Sequence, residues 1–239
     1  ALNSLEQIIN RLGARTTLYG IMAEQPQLIE LWVILTGGSR YLSEILLRDP
    51  SLAEMIGREG ILERSLDCEV FQKQFEIIRS ASSGRQDSHL ALVRLKNALD
   101  LEIGIRYLIG ASDVKTLGVE LASSAEFILE EVVQEASNRI QERYPRMAVS
   151  VPENLLVIAM GKLGGHELNF ASDLDLLFLY GAEMEEDNTT AAEFYPRVAA
   201  KISTALEENT PYGRLYECDT RLLPYGKSGP LSSSLETFG

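Results

Sequence analysis

The chain has 239 residues, of which 45% are hydrophobic and 24% charged, a composition typical of a soluble globular protein with one large or two small domains. Its 22 basic and 35 acidic residues give a formal net charge of −13. Phosphate backbones and anionic lipids repel so acidic a protein, so we expect neither nucleic acid nor a membrane as partner.

The two cysteines, Cys68 and Cys218, are far apart in the chain and have no His or Cys companions at metal-ligand spacing. Neither a disulfide framework nor a zinc site is therefore indicated. No apolar run reaches the roughly 18 residues of a membrane span, and the first four residues lead into a polar-patterned helix rather than a signal peptide. These features predict a protein of the reducing cytoplasm.

The first two-thirds of the chain carries a helical pattern. From residue 5 to about residue 144, apolar side chains recur at three and four positions, which predicts amphipathic helices packed on one another. Ser39 is expected to cap one of these helices, and Ser123 or Ser124 to cap a long one that runs to about residue 144.

The last third changes to a strand pattern. Two unbroken apolar runs, Leu155–Met160 and Leu174–Tyr180, have no alternating polar face and so predict buried central strands. A helix is predicted over 190–208, with Ala192 on its buried side. A third strand is predicted over 214–222, where Pro and Gly punctuate both ends.

This change of period predicts an α+β fold in two parts. Residues 1–115 are expected to form a helical segment, and residues 116–239 a helix followed by a small mixed sheet.

Two aspartates open the second predicted strand. Asp173 and Asp175 are two residues apart, so their carboxylates project from one face of a strand, close enough to share hard divalent cations. Like charges on one face of an apolar strand repel each other and resist desolvation unless cations compensate them. The alternative is that they only mark a solvated strand entrance, with Ser172 and Asp173 as turn residues.

The glycine pair Gly164-Gly165 lies between the first strand and these aspartates, where a strand turns into a short helix. Glycines let a phosphate approach the backbone, and amides at a helix start favour negative charge. The spacing is neither a Walker nor a Rossmann motif, since Lys162 precedes the glycines. Together with a third carboxylate, Asp219, on a strand that could lie beside the second, the set predicts two-metal phosphoryl or nucleotidyl transfer.

These residues carry a resemblance to a known family. The chain resembles the glutamine synthetase adenylyltransferases, members of the polymerase-beta-like nucleotidyltransferase superfamily, in four stretches: Gly161–Gly165 (GKLGG), Glu167-Leu168, Ser172–Asp175 (SDLD) and Leu215–Leu222 (LYECDTRL). The full enzymes carry two catalytic halves, one that removes AMP from glutamine synthetase and one that attaches it. The opening stretch from Tyr19 through Pro50 looks like the helical segment that precedes the attaching half, and Arg214–Arg221 also resembles that half.

The resemblance implies a magnesium-dependent enzyme with a polymerase-beta-like core. Asp173 and Asp175 would hold magnesium on the triphosphate of ATP, while Asp219 would complete a second metal site and help to activate the acceptor hydroxyl. The implied acceptor is a tyrosine of glutamine synthetase, which places the protein in the control of nitrogen assimilation. The PII signalling proteins are implied as regulators of the full-length enzymes. The residues expected to contact the nucleotide are Lys162, Gly164, Gly165, Ser172, Arg221 and Lys227.

Several alternatives stay open at this point. Lys162 either neutralises phosphate or only solvates a strand end, and His166 either contacts phosphate or is a solvated turn residue. Cys218 is expected to face away from its neighbour Asp219 and to pack in the core.

The family usually reads Arg-Leu-Arg-Pro where this chain has Leu223 in place of the second arginine. Activity here is therefore either weakened or dependent on Arg221 and Lys227, since either cation can meet developing negative charge. The family sequence also continues beyond Gly239 into helices that this chain lacks, so we expect the chain alone to transfer AMP weakly or not at all.

Two alternative functions also remain. Both halves of the family share these motifs, so removal of AMP by phosphorolysis is possible on the motifs alone. A noncatalytic interaction module with a degraded site is the other alternative.

Overall fold

A computed structural model describes residues 2–11, 27–56, 60, 64–81, 86–143, 154–181, 185–186, 189–220 and 231–238. The helices that precede the sheet are α1 (Leu2–Arg11), α2 (Gln27–Gly38), α3 (Arg40–Arg48), α4 (Cys68–Ser80), α5 (Gln86–Leu108) and α6 (Val114–Arg143), with a 3₁₀ helix at Pro50–Met55. The elements that follow are β1 (Leu155–Ala159), α7 (Gly161–Gly164), β2 (Leu174–Tyr180), β3 (Glu185–Glu186), β4 (Thr189–Thr190), α8 (Ala191–Glu207), β5 (Cys218–Asp219), β6 (Ser233–Ser234) and α9 (Leu235–Phe238). Within these ranges no helix combines the length and the apolar content that crossing a membrane requires.

The α+β fold is confirmed, and the helix boundaries follow the local cap chemistry. Ser39 caps α3 as predicted, because its hydroxyl oxygen accepts a hydrogen bond from the Leu42 amide at 3.2 Å. The prediction that Ser123 or Ser124 caps the long helix is wrong. That helix, α6, begins at Val114 with Asp113 as its cap, and both serines lie in its interior. Gly118 and the two serines have low helix propensity, so propensity alone does not show that the first turns of α6 are helical.

The structure divides into two compact units, and neither is one continuous stretch of chain. The first unit comprises residues 1–124 together with Asn169–Ala171 and Asn209–Gly213. The second unit comprises residues 125–168, 172–208 and 214–239. These units are defined by packing, and the assignment of residues 1–115 and 116–239 as domains stays a prediction.

The first unit is built around an apolar core contributed by α1, α2, α3 and α5. Helical spacing places the large side chains on the inward faces, where burial of each contributes about 1.5–3 kcal/mol relative to exposure. The buried members of this core include Ile8, Trp32, Leu35, Leu42, Ile45, Leu46, Leu101 and Ile105.

The second unit contains the mixed sheet, with β2 at its centre. β1 pairs with β2 antiparallel, while β5 and β6 pair with β2 in parallel, β5 at its first residues and β6 at its last. β2 is the buried central strand that was predicted. The same prediction for β1 is wrong: among the described strands β1 pairs with β2 alone, and Leu156 is 49% exposed. An apolar run alone does not distinguish an edge strand from a central one.

The last elements differ from prediction in detail. α8 spans Ala191–Glu207 as expected, but its buried stripe runs through Ala191, Phe194, Tyr195 and Val198, so Ala192 is exposed. The third strand, β5, is only two residues long, and residues 221–222 of the predicted strand lie outside the described residues.

Candidate functional site

The three aspartates lie at the same end of β2. Asp175 of β2 and Asp219 of β5 are direct partners in the parallel ladder. Neighbouring strands are about 4.8 Å apart and partners in register project to the same face, so the two half-buried carboxylates are adjacent. Asp173 is exposed and lies one residue before β2 begins.

Main-chain hydrogen bonds hold Asp175 in the ladder, whereas among the described residues the ladder does not include Asp173. The carbonyl oxygen of Asp175 accepts from the Met160 amide at 2.9 Å, and the amide of the preceding Leu174 donates to the Glu217 carbonyl at 2.8 Å. The ladder therefore starts at Leu174. The position of Asp173 depends on the segment that leads into β2.

Gly161, the first residue of α7, makes room for the Asp175 carboxylate. Its φ is +55°, and a Cβ built at this position would overlap Asp175 Oδ2. Only glycine meets both conditions without strain. Gly161 belongs to the sequence motif Gly161–Gly165, but the motif alone does not place it in the site; its position directly after a predicted strand is the signal that could have done so.

Gly164, the last residue of α7, has a steric role that the sequence motif did not reveal. A Cβ on Gly164 would lie 2.5 Å from the Ala159 carbonyl oxygen, so the glycine lets α7 pack closely on β1. The Gly164 amide already donates to Met160 O and the Gly165 amide to Gly161 O, both at 3.0 Å. These two amides are thus used within the turn, and a contact of Gly164 or Gly165 with phosphate stays a prediction.

The other predicted contacts are placed as follows. Lys162 is exposed on α7, and Ser172 is half-buried directly before Asp173. Arg221, Leu223 and Lys227 lie outside the described residues.

The thiol of Cys218 reports the electrostatics at this end of the sheet. The pKa of this thiol is raised to about 11, chiefly by burial; the hydrogen bond with Ser203 lowers it, and the carboxylates of Glu207, Asp219 and Asp175 each raise it. Its Sγ lies 3.8 Å from Ser203 Oγ of α8. The carboxylates of Asp175, Asp219 and Glu207 gather negative charge near this thiol, which suits a cation.

His166 lies in the turn after α7. Its φ is +51°, its side chain is half exposed, and its Nε2 is 3.4 Å from Glu126 Oε1. The structure thus gives this ring a carboxylate neighbour on α6, in agreement with the interpretation as a turn residue.

The fit of magnesium rests on donor chemistry and register. Carboxylate oxygens are the ligands that Mg²⁺ prefers, and Asp175 and Asp219 present two of them side by side. In the part of the chain that the structure describes, no three His, Cys, Asp or Glu side chains are already arranged around a common point as cation ligands. A third ligand would have to come from a change of rotamer or from the nucleotide.

Comparison with known proteins identifies the family. The model of the glutamate-ammonia ligase adenylyltransferase family matches residues 29–239. The chain belongs to this family. Glutamate-ammonia ligase is another name for glutamine synthetase, so the resemblance found in the sequence motifs is confirmed.

Similar curated members of the adenylyltransferase family are each named bifunctional glutamine synthetase adenylyltransferase/adenylyl-removing enzyme. The one from Pasteurella multocida is 33% identical over 97% of this chain, and the one from Chromobacterium violaceum is 31% identical over 99%. The alignments cover 24% and 26% of those relatives. The chain therefore spans about a quarter of the length of the curated relatives that it matches.

Proposed function

We propose that this chain is a nucleotidyltransferase segment that attaches AMP from ATP to a tyrosine of glutamine synthetase, with magnesium as cofactor. The observation that carries the proposal is the register of Asp175 with Asp219, beside a glycine that accommodates the Asp175 carboxylate. Family membership supports the same chemistry, because the relatives are named for attachment and removal of adenylyl groups.

Each carboxylate has a distinct role in this proposal. Asp175 and Asp219 would hold Mg²⁺ through their oxygens, and Asp173 would join them from the segment before β2. When bound, Mg²⁺ offsets the charge of the triphosphate and of the departing pyrophosphate. Asp219 accepts the proton of the tyrosine hydroxyl, whose oxygen forms the new bond to the α-phosphorus as the bond to pyrophosphate breaks.

Cationic and small residues near the carboxylates would bind the triphosphate. Lys162 is exposed on α7, two residues before Gly164, and Ser172 directly precedes Asp173. Arg221 and Lys227 follow Asp219 closely in the sequence and would take the place of the arginine that Leu223 replaces. A net charge of −13 agrees with a protein acceptor rather than a nucleic acid.

The acceptor and its regulators complete the proposal. Glutamine synthetase is the partner that the relatives' names supply, and PII proteins would regulate the longer enzyme. Both point to the cytoplasm as the place of action.

The test compares Asp175→Asn with Asp67→Asn, a matched change at the exposed cap of α4. Transfer of label from ATP to glutamine synthetase is measured with magnesium, in this chain and in a polypeptide extended past Gly239. We expect Asp175→Asn to lower transfer by about 100-fold or more, the scale of a lost electrostatic contact to the transition state. Its melting temperature should hold or rise, because removal of one of several like charges relieves repulsion. Asp67→Asn should match wild type.

The same assay distinguishes the alternatives. Release of ADP from adenylylated glutamine synthetase in the presence of phosphate, with no forward incorporation, would assign the chain to the removing half. No turnover in either direction, with no heat on titration of magnesium and ATP, would indicate an interaction module.

A further inference from the structure

The strand that carries Asp219 is short. β5 is two residues long, and its register with β2 comprises two residue pairs. On the side of β2, the Leu174 amide donates to the Glu217 carbonyl oxygen at 2.8 Å. Successive residues of a strand direct their main-chain groups to opposite edges, so the amides of Tyr216 and Cys218 face away from β2. Pairing with β2 therefore holds only one edge of this strand.

Helix α8 accepts both of these outward amides in its last turn. The Tyr216 amide donates to the Leu206 carbonyl oxygen at 3.0 Å, and the Cys218 amide donates to Glu207 Oε1 at 3.2 Å. The first bond satisfies a carbonyl that a helix end leaves without an intrahelical partner. The second bond has a carboxylate as its acceptor, and such charge-assisted bonds are stronger than neutral ones. The end of α8 thus holds the second edge of β5.

The carboxylate of Glu207 occupies an electrostatically unfavourable place. Glu207 is the last residue of α8, where the helix dipole is negative, and its side chain is exposed. It adds to the negative charge that Asp175 and Asp219 place near the Cys218 thiol. Like charges repel, so helix stability does not explain a glutamate at this position. The hydrogen bond from the Cys218 amide accounts for it.

Asp219 directly follows the residue whose amide Glu207 binds. It is also the partner in register of Asp175, and all of these residues belong to the second unit. We propose that Glu207 is a positioning residue, whose hydrogen bond with the Cys218 amide keeps the Asp219 carboxylate beside that of Asp175. This inference rests on the proposed function, in which both aspartates bind the metal. Glu207 acts through the main chain and is not itself a metal ligand.

Two conservative substitutions separate the hydrogen bond of Glu207 from its charge. Glu207→Gln keeps an acceptor oxygen at the same reach and removes the charge. Glu207→Asp keeps the charge and shortens the side chain by one methylene, so its oxygens fall short of the Cys218 amide. Glu207→Ala removes both. If the hydrogen bond positions Asp219, Glu207→Asp should resemble Glu207→Ala, and Glu207→Gln should resemble wild type.

The experiment uses Mn²⁺ as a probe, with the free ion measured by electron paramagnetic resonance, beside kcat for AMP transfer in this chain and in a polypeptide extended past Gly239. We expect Glu207→Ala and Glu207→Asp to weaken Mn²⁺ binding and to lower kcat by about ten-fold each, the scale of a lost contact that orients a metal ligand. Glu207→Gln should stay within about three-fold of wild type, because solvent and salt screen the loss of an exposed charge. Its melting temperature should hold or rise.

Glu193→Ala is the matched control, since it removes an exposed carboxylate from the first turn of the same helix. It should lower the melting temperature slightly, because an acidic residue stabilises a helix start, and leave Mn²⁺ binding and kcat unchanged. Wild-type Mn²⁺ affinity in Glu207→Ala or in Glu207→Asp would overturn the proposal. So would a loss in Glu207→Gln or in Glu193→Ala that equals the loss in Glu207→Ala.

Hydrogen exchange separates this inference from the proposed function. If wild type neither binds Mn²⁺ nor transfers AMP, the proposed function fails, yet exchange of the Cys218 amide still reports its hydrogen bond with Glu207. Faster exchange of this amide in Glu207→Ala and Glu207→Asp, but not in Glu207→Gln or Glu193→Ala, supports the positioning of β5 by Glu207. Unchanged exchange in Glu207→Ala overturns it.

Discussion

Gly161 shapes the site because it has no side chain. The strand β1 ends at Ala159, and α7 starts two residues later with a backbone that crosses directly beside the Asp175 carboxylate. A carboxylate held this close to a main chain keeps a fixed orientation toward its partner in register, Asp219. Orientation of this kind is what a metal-dependent transfer requires of its ligands.

Gly161→Ala should therefore damage both stability and activity. The added Cβ meets Asp175 Oδ2, and φ +55° strains any residue other than glycine, so we expect a loss of about 1–3 kcal/mol in the free energy of unfolding. AMP transfer should fall with it because the carboxylate is displaced. Chemical denaturation and the transfer assay measure the two effects.

Gly165→Ala is the control for that substitution. Its φ is −85°, and its Cβ would meet Glu167 Cγ at 3.4 Å, an ordinary contact. The free energy of unfolding of this variant should stay close to that of wild type. Equal losses of unfolding free energy at positions 161 and 165 would contradict the steric explanation.

Residue patterns in the sequence could predict the pairing of carboxylates but not the use of the glycines. Asp175 and Asp219 occupy paired strand positions, and strand geometry is regular enough to project both to one face. The amides of Gly164 and Gly165 have partners within the turn, and no local sequence signal shows which donors a turn consumes.

Among the elements, α6 illustrates how a cap determines where a helix starts. Asp113 Oδ1 accepts from the Thr116 amide at 2.8 Å and satisfies a donor that the first turn would leave unpaired. The backbone hydrogen bond from Thr116 is the main cause that lowers the pKa of Asp113. The cap is therefore strongest while the carboxylate is ionised.

Acid should weaken this cap in a defined direction. Because the folded pKa of Asp113 lies below its ordinary value of 3.8, its contribution is complete above that value and is lost as pH falls through the folded pKa. Asp113→Asn retains a cap that does not titrate, so the melting temperature of wild type should fall more than that of the variant between pH 5 and pH 3.

Circular dichroism measures both melting curves, and Glu130→Gln, on an exposed position of the same helix, serves as control. If the melting temperatures of wild type and Asp113→Asn fall equally between pH 5 and pH 3, the carboxylate of Asp113 does not have this role.

The element types were more predictable than their surroundings. The periods of α8 and β2 identify a helix and a strand because each period follows from backbone geometry. The edge position of β1 depends on which strands pair with β2, and that is decided by distant residues of the chain.

At the scale of the whole molecule, two later segments of the chain, Asn169–Ala171 and Asn209–Gly213, return to the first unit. The second return, Asn209–Gly213, brings Tyr212 to helix α5: its carbonyl oxygen accepts from Asn97 Nδ2 at 3.0 Å, and its ring lies 5.3 Å from the Arg94 guanidinium carbon. Arg94 in turn binds Asp49 Oδ2 at 2.8 Å. Residues more than a hundred positions apart thus complete one packed structure.

Tyr212→Ala should destabilise the first unit. Loss of the ring over Arg94 should lower the free energy of unfolding by about 1 kcal/mol. Trp32 is the single tryptophan of the chain and is buried in the core of that unit, so its fluorescence reports the transition.

Tyr107→Ala, at an exposed position of α5, provides the comparison and should shift the midpoint little. An unchanged Trp32 transition in Tyr212→Ala would show that the second return contributes nothing to the unit.

The fold class could be predicted from the sequence, but these returns could not. A change from helical to strand period is visible in any window of about fifteen residues, and it indicates an α+β chain. Each of these short segments has a single aromatic, Tyr212 in Asn209–Gly213 and Phe170 in Asn169–Ala171, so nothing local tells where it packs.

The two returns also set the order in which the protein can fold as it is synthesised. Residues 1–124 leave the ribosome first, but Phe170 and Tyr212 are still untranslated at that moment. At about 5–20 residues per second, the last of these contacts becomes possible only on the order of ten seconds later. During that interval the ring of Tyr41 and the guanidinium of Arg94 lack the aromatic partners, Phe170 and Tyr212, that they contact in the folded unit.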